Sequence, residues 1–276
     1  MKTVTLPNGD VLPKLGLGTW GMGEGGDLEA EAAALVHGLN QGIGLLDTAE
    51  MYGGGGAEEV IAHALRGRKE RPYIVSKVYP HNASRQGVVE ACENSLRRLQ
   101  IERIDLYLLH WRGSFPYLET IEGFERLQAA GKIGAWGVSN LDADDMADIW
   151  DEAGGGGCQT DKVLYHLDMR WPEGRLLPAL RERKTPLMAY SPLDQGRLGR
   201  NPALQRIASD AGVDPNVLAL AWVMGQDDVF AVPKSAQPAR IDGFLKAAEM
   251  TIPDDVMAAL DQAFPAPEID APLEML

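Results

Sequence analysis

The segment IGLLDTAEMYGGGG, residues 43–56, opens as a short apolar run, halts on the carboxylate of Asp47, and carries Tyr52 into four consecutive glycines. A run this short, without polar alternation, suits a β-strand covered on both faces better than an amphipathic helix. The same grammar recurs along the chain. KLGLGT (14–19), YIVSK (73–77), IDLYLLH (104–110), AWGVSN (135–140), KVLYHL (162–167), PLMAYS (186–191) and VFAVPKS (229–235) complete a set of eight.

Between these runs apolar residues return at helical spacing over 28–41, 57–65, 85–99, 118–130, 142–152, 176–183 and 202–211. Asp27 and Ser84 are placed as N-caps, and Gly42, Gly131 and Gly212 as terminators. A further helix over 215–224 precedes the last strand, and two more, 238–250 and 254–264, follow it. Strict alternation implies parallel strands joined by right-handed crossovers, and eight such units close into a (β/α)8 TIM barrel. Ahead of the first unit, VTLPNGDVL predicts a β-hairpin turning at Asn8-Gly9. No linker divides the chain, so residues 1–276 are read as one barrel domain, with AGGGGCQ (153–159) as a loop within it.

Composition narrows the function. With 26 basic against 40 acidic residues the net charge is -14, which opposes attraction to nucleic acid or an anionic membrane, so a bound polyanion needs a local basic cluster. Cys92 and Cys158 show no CxxC or Cys/His metal spacing and are read as buried or idle thiols. The N-terminal stretch lacks the apolar core of a signal peptide, and no run approaches ~18 apolar residues. The expectation is a soluble, cytoplasmic protein.

Polar chemistry collects where the apolar runs stop: Thr19, Asp47, Lys77, His110, Ser139-Asn140, Tyr190-Ser191 and Lys234-Ser235. In a closed barrel these ends share the face that carries active sites. Asp47, Lys77 and His110 end successive strands, and Tyr52 lies on the loop after Asp47. A lysine held charged by a carboxylate lowers the pKa of a nearby phenol from about 10 toward neutrality, which suits Tyr52 as a general acid. His37, His63 and His81 fall in helices or a polar loop, and His166 in the sixth strand is read as a hydrogen-bonded core residue. Neither HxH nor HExxH occurs, which disfavours a metal-dependent hydrolase.

Two stretches invite a nucleotide reading. GLGTWG has the GxGxxG spacing, but Pro13 shortens the strand before it and no helix opens after it, so it is rejected as a dinucleotide fingerprint. VPKSAQPAR is the better anion site, because Lys234, Ser235, Arg240 and helix N-terminal amides can face one phosphate.

LGLGTW, LDTAEMYG, IVSK, RIDLYLLHW, GKIGAWGVSN, AYSPL and VPKSAQPARI resemble, in order and spacing, the motifs of the aldo-keto reductase superfamily. The resemblance covers nearly the whole chain. It implies a catalytic tetrad of Asp47, Tyr52, Lys77 and His110, and reduction of aldehydes or ketones by NADPH, with His110 orienting the carbonyl. For the cofactor it implies Thr19, Trp20 and Asp47, with Ser139 and Asn140 at the nicotinamide carboxamide and Tyr190 stacked on the ring. It further implies Ser191 and Leu193 near the pyrophosphate, and Lys234, Ser235 and Arg240 at the adenosine 2'-phosphate. Trp20, Tyr79, His110 and Trp111 match positions that line the substrate cavity, and a brief C-terminal tail implies an open pocket.

The chain departs from the family in two places. Lys162 in DKVLYH, at a cofactor-binding position, replaces the glutamine of NQVLYH, so the carboxamide contact assigned to this position is lost, replaced or supplied differently. Gly243-Phe244 replaces Glu-Asn, and Phe244 is either an adenine platform or core. Compact bacterial relatives suggest small 2-oxoaldehydes such as methylglyoxal as substrates, and a monomer or weak homodimer. The alternatives are a catalytically weak nicotinamide-binding sensor or regulatory subunit, and an isomerase or aldolase using Lys77 as a Schiff-base nucleophile; the carboxylate beside that lysine argues against the second.

Overall fold

The computed structural model describes every residue except Glu268 and Asp270. Its N-terminal hairpin pairs β1 (Thr3–Thr5) with β2 (Val11–Pro13). Eight parallel strands follow in the order β3 (Leu17–Gly18), β4 (Leu45–Asp47), β5 (Tyr73–Val78), β6 (Ile104–Leu109), β7 (Ile133–Ser139), β8 (Cys158–Leu164), β9 (Leu187–Tyr190) and β10 (Val229–Ala231). Each pairs with its sequence neighbour. The sheet closes where the Gly16 and Gly18 amides donate to the Ala231 and Pro233 carbonyls, both at 2.9 Å, and the Ala231 amide donates to the Lys14 carbonyl at 2.8 Å. The expected TIM barrel is therefore the fold.

The crossovers carry α1 (Leu28–Asn40), α2 (Gly56–Ala64), α3 (Arg85–Leu99), α4 (Tyr117–Ala129), α5 (Ala143–Asp151), α6 (Leu176–Glu182), and then α7 (Pro202–Asp210) with α8 (Pro215–Gly225). After β10 come α9 (Pro238–Glu249) and α10 (Asp254–Ala263). Asp27 and Ser84 accept hydrogen bonds from first-turn amides, as their N-cap reading requires. Strand bounds shift from their sequence reading, most plainly at β8. β8 begins at Cys158, inside the stretch read as loop, and ends before His166, because Gly157 closes the preceding turn earlier than its composition suggests.

Hydrocarbon fills the barrel interior. Leu45, Val75, Leu106, Leu108, Met188 and Phe230 meet inside it, and the hairpin residues Val4, Leu6 and Leu12 pack on the same cluster, stoppering the end of the barrel at which the strands begin. Gly16 and Gly18 are needed for this packing rather than for a phosphate turn. A Cβ on Gly16 would lie 2.2 Å from the Leu45 side chain, and one on Gly18 would lie 2.8 Å from the Val232 carbonyl. Cys92 and Cys158 are free and buried. Among the described residues no helix is long and apolar enough to cross a membrane.

Candidate active site

Strand alternation explains why the polar residues converge. Side chains of a strand alternate faces, so the residue two positions beyond an inward hydrocarbon also points inward. Leu45 leads in this way to Asp47, Val75 to Lys77, Leu108 to His110, and Met188 to Tyr190. The interior thus changes from hydrocarbon to a polar cup one step before the barrel opens. The intervening residue faces the helices: the Ser76 hydroxyl donates to Glu58 Oε1 at 2.7 Å.

At the floor of the cup Asp47 is shared by two lysines. Lys77 Nζ lies 2.9 Å from Asp47 Oδ1, and Lys162 Nζ lies 2.5 Å from Oδ2. All three side chains are at most 4% exposed. Lys77 also donates a hydrogen bond to the Thr48 carbonyl. Burial pushes the Lys77 ammonium down to about 7, with Asp47 opposing and Lys162 reinforcing the fall. Lys162, expected to replace a carboxamide contact, is thus a second counter-charge to Asp47.

Tyr52 comes in from the loop after β4. Lys77 Nζ stands 4.8 Å from the centroid of its ring. The glycines around Tyr52 make that approach possible. Gly53 has a left-handed backbone (φ 59°), and a Cβ there would lie 2.8 Å from the Gly23 carbonyl, while one on Gly56 would lie 2.5 Å from it. Two loops therefore interlock backbone against backbone. Behind them Arg98 Nε donates to Glu58 Oε2 at 2.7 Å, and Glu58 is fully buried at the start of α2. The phenol departs from expectation in one respect. Burial raises its pKa well above 10, with Asp47 and Tyr190 adding to the rise, so the ammonium does not bring it toward neutrality.

His110 faces Tyr52 edge-on, with centroids 5.7 Å apart, and its Nδ1 is buried without a hydrogen-bond partner. Burial, then Lys77 and Lys162, push its pKa down to about 2, so the imidazole is neutral. Trp111 packs on His110 at 4.8 Å and on Tyr79 at 5.0 Å, forming an aromatic wall. Glu50, which the sequence reading passed over, fixes the wall by accepting from the Tyr79 amide at 2.6 Å. Trp20 is 54% exposed at the rim.

Opposite lies a polar chain. Tyr190 donates to Asn140 Oδ1 at 2.9 Å, Asn140 Nδ2 donates to the His110 carbonyl at 3.1 Å, and Ser139 donates to the Lys162 carbonyl at 2.6 Å. Thr19 is buried, and its hydroxyl donates to the Asp47 carbonyl at 3.0 Å, so it ties strand ends together. Ser191 takes a left-handed backbone (φ 46°) beyond β9, and Leu193 packs on the core. Phe244 is buried among core residues, which settles it as core rather than adenine platform. His166 is buried just beyond β8, where its Nδ1 accepts from the Asp168 amide at 3.3 Å.

These residues fit a dinucleotide phosphate. Lys234, just ahead of α9, and Arg240, in its first turn, are exposed and form no ion pair among the described residues, while Ser235 is buried. On a chain of net charge -14, two cations open to solvent beside a helix N-terminus form a local anion site. The tail lies partly outside the described residues, at Glu268 and Asp270. Its remaining part lines a cavity of about 340 Å³ with Leu167, Met169 and Trp171.

Comparison with known proteins places this arrangement. The chain is 46% identical over 276 residues to methylglyoxal reductase YeaE of Escherichia coli K12, covering 98% of this chain and 97% of that one. It is 32% identical to a glyoxal reductase of Bacillus subtilis, covering 87% and 84%. A crystal structure of an aldo/keto reductase from Klebsiella pneumoniae in complex with NADP and acetate superposes with a TM-score of 0.96 at 43% identity, covering 100% and 99% of the two chains. The model of the Aldo/keto reductase family matches residues 14–264, and the chain belongs to that family.

Proposed function

We propose that the protein is an NADPH-dependent reductase of aldehydes and ketones in which Tyr52 supplies the proton. The observation that carries this reading is the convergence of Asp47 and Tyr52 from β4 and its loop, Lys77 from β5 and His110 from the end of β6 on one buried cup. Bound cofactor supplies the hydride that reaches the carbonyl carbon.

The side chains divide the remaining work. Tyr52, kept protonated by its buried setting, donates to the carbonyl oxygen as negative charge develops there, and the phenolate left behind is stabilised by the Lys77 ammonium. Asp47 keeps that ammonium in place. Neutral His110 orients the carbonyl oxygen without competing as an acid. The phenolate regains its proton from solvent, so each cycle consumes one proton.

Asn140, Ser139 and Tyr190 hold the nicotinamide, Ser191 and Leu193 lie along the pyrophosphate, and Lys234, Ser235 and Arg240 take the 2'-phosphate, which selects NADPH over NADH. Small 2-oxoaldehydes such as methylglyoxal suit the cup, since the aromatic wall of Tyr79 and Trp111 leaves few polar groups besides Tyr52 and His110. The similarity to methylglyoxal reductase YeaE supports that choice. The test follows NADPH absorbance with methylglyoxal, glyoxal and aromatic aldehydes. Turnover with the 2-oxoaldehydes supports the reading, whereas absence of turnover with any carbonyl rejects it.

A further inference from the structure

Below about pH 7, where Lys77 keeps its proton, Lys162 is not needed to neutralise Asp47, because Lys77 already does so. Among the strand-end side chains that line the cup, Asp47 is negative, Lys77 and Lys162 are each positive, and His110, Ser139, Asn140 and Tyr190 are uncharged, as is Tyr52 from the loop after β4. The cup therefore carries one unpaired positive charge. It is contributed by β8, 4% exposed, with Nζ 5.8 Å from the centroid of the Tyr190 ring.

We infer that Lys162 biases the site toward the reduced form of its dinucleotide, by repelling the charged nicotinamide ring of NADP⁺ while leaving neutral NADPH unaffected. This rests on the function proposed above, in which the ring sits against Tyr190. Like charges roughly 6–8 Å apart, at an effective dielectric of about 20, repel by an amount worth on the order of 30- to 100-fold in an equilibrium constant. Reorientation of the polar groups that line the cup weakens this further, so a preference of about ten-fold is expected from Lys162 alone. Solvent screening is weak because the side chain is buried. A relative with an uncharged residue here lacks this term, so the substitution makes the enzyme more committed to reduction and less inhibited by its oxidised product.

The test is equilibrium binding rather than turnover. Dissociation constants for NADPH and NADP⁺ are measured by fluorescence and calorimetry at pH 6, where Lys77 retains its proton. The parent chain is compared with Lys162→Gln and Lys162→Met, which remove the charge, and with Lys162→Arg, which keeps it. In the neutral variants Lys77 still pairs with Asp47, so the floor of the cup stays compensated, and melting curves verify the fold. The expected result is that both neutral variants gain affinity for NADP⁺ relative to NADPH by about ten-fold, while Lys162→Arg stays near the parent ratio. An unchanged ratio in the neutral variants, or an equal change in Lys162→Arg, overturns the inference and leaves the proposed function standing. Failure of the parent chain to bind either dinucleotide overturns both.

Discussion

The Lys77 ammonium sits 4.8 Å from the centroid of the Tyr52 ring, although Lys77 belongs to β5 and Tyr52 stands on the loop after β4. Burial makes the phenol a weaker acid than free tyrosine, so the cation acts after the proton has left, on the phenolate. Tyr52→Phe is expected to lower kcat by about 10²- to 10⁴-fold, the usual worth of a positioned general acid. NADPH affinity should be retained. Single-turnover kinetics and a binding titration check both halves, and equal losses in the two would contradict the role given to the hydroxyl.

The same relationship fixes a pH dependence. Lys77 titrates near 7, because burial lowers it and Lys162 adds to the fall. Above that pH the phenolate loses its cation. The kcat for carbonyl reduction should therefore decline as pH rises through about 7, and in Lys162→Gln the decline should move to higher pH, since one lowering influence is gone. A rate profile flat from pH 6 to about 9 would argue against Lys77 as the stabilising charge.

Asp161 precedes Lys162 on β8 and faces the helices, fully buried, with neither carboxylate oxygen hydrogen-bonded. Burial raises its pKa well above the usual carboxylate range, Asp145 and Asp142 add to the rise, and the nearby Leu141 amide opposes it. The folded state thus binds this proton more tightly than the unfolded chain does. Stability from this group is present below the unfolded value and is lost as pH rises toward the folded one. Asp161→Asn should raise stability at neutral pH by about 1–3 kcal/mol, and the gain should shrink as the pH falls toward about 4. Melting curves across that range are the measurement.

Gly53 needs its left-handed backbone and its contact with Gly23 to bring Tyr52 inward. Gly53→Ala forces the loops apart. Since the barrel strands are untouched, the melting temperature should change little beside the loss of kcat, which should approach that of Tyr52→Phe. Circular dichroism with steady-state kinetics separates the two effects.

Lys234 and Arg240 are exposed, and neither forms an ion pair with another of the described residues. Replacing either with Met should raise KM for NADPH by about ten-fold, the scale of one charge-assisted hydrogen bond, while changing KM for NADH little. Comparable effects on both cofactors would move the 2'-phosphate elsewhere.

Most of the architecture could be read from the chain because it is written in local terms. Eight apolar runs, the caps at Asp27 and Ser84, and the turn at Asn8-Gly9 each follow from neighbours a few residues away. β8 was misplaced by several residues because Cys158–Asp161 carries too few apolar side chains to announce a strand, and only pairing with β7 and β9 defines it.

The sequence by itself determined which residues end the strands, and so which side chains share a face, since strand alternation is a property of the backbone alone. Tertiary structure decided how they pair. Whether Lys162 would meet a cofactor or a carboxylate, whether Phe244 would be platform or core, and whether a buried phenol would be made more or less acidic all depend on distances between segments far apart in the chain. Those distances, and the loss of water on burial, set the sign of each electrostatic effect.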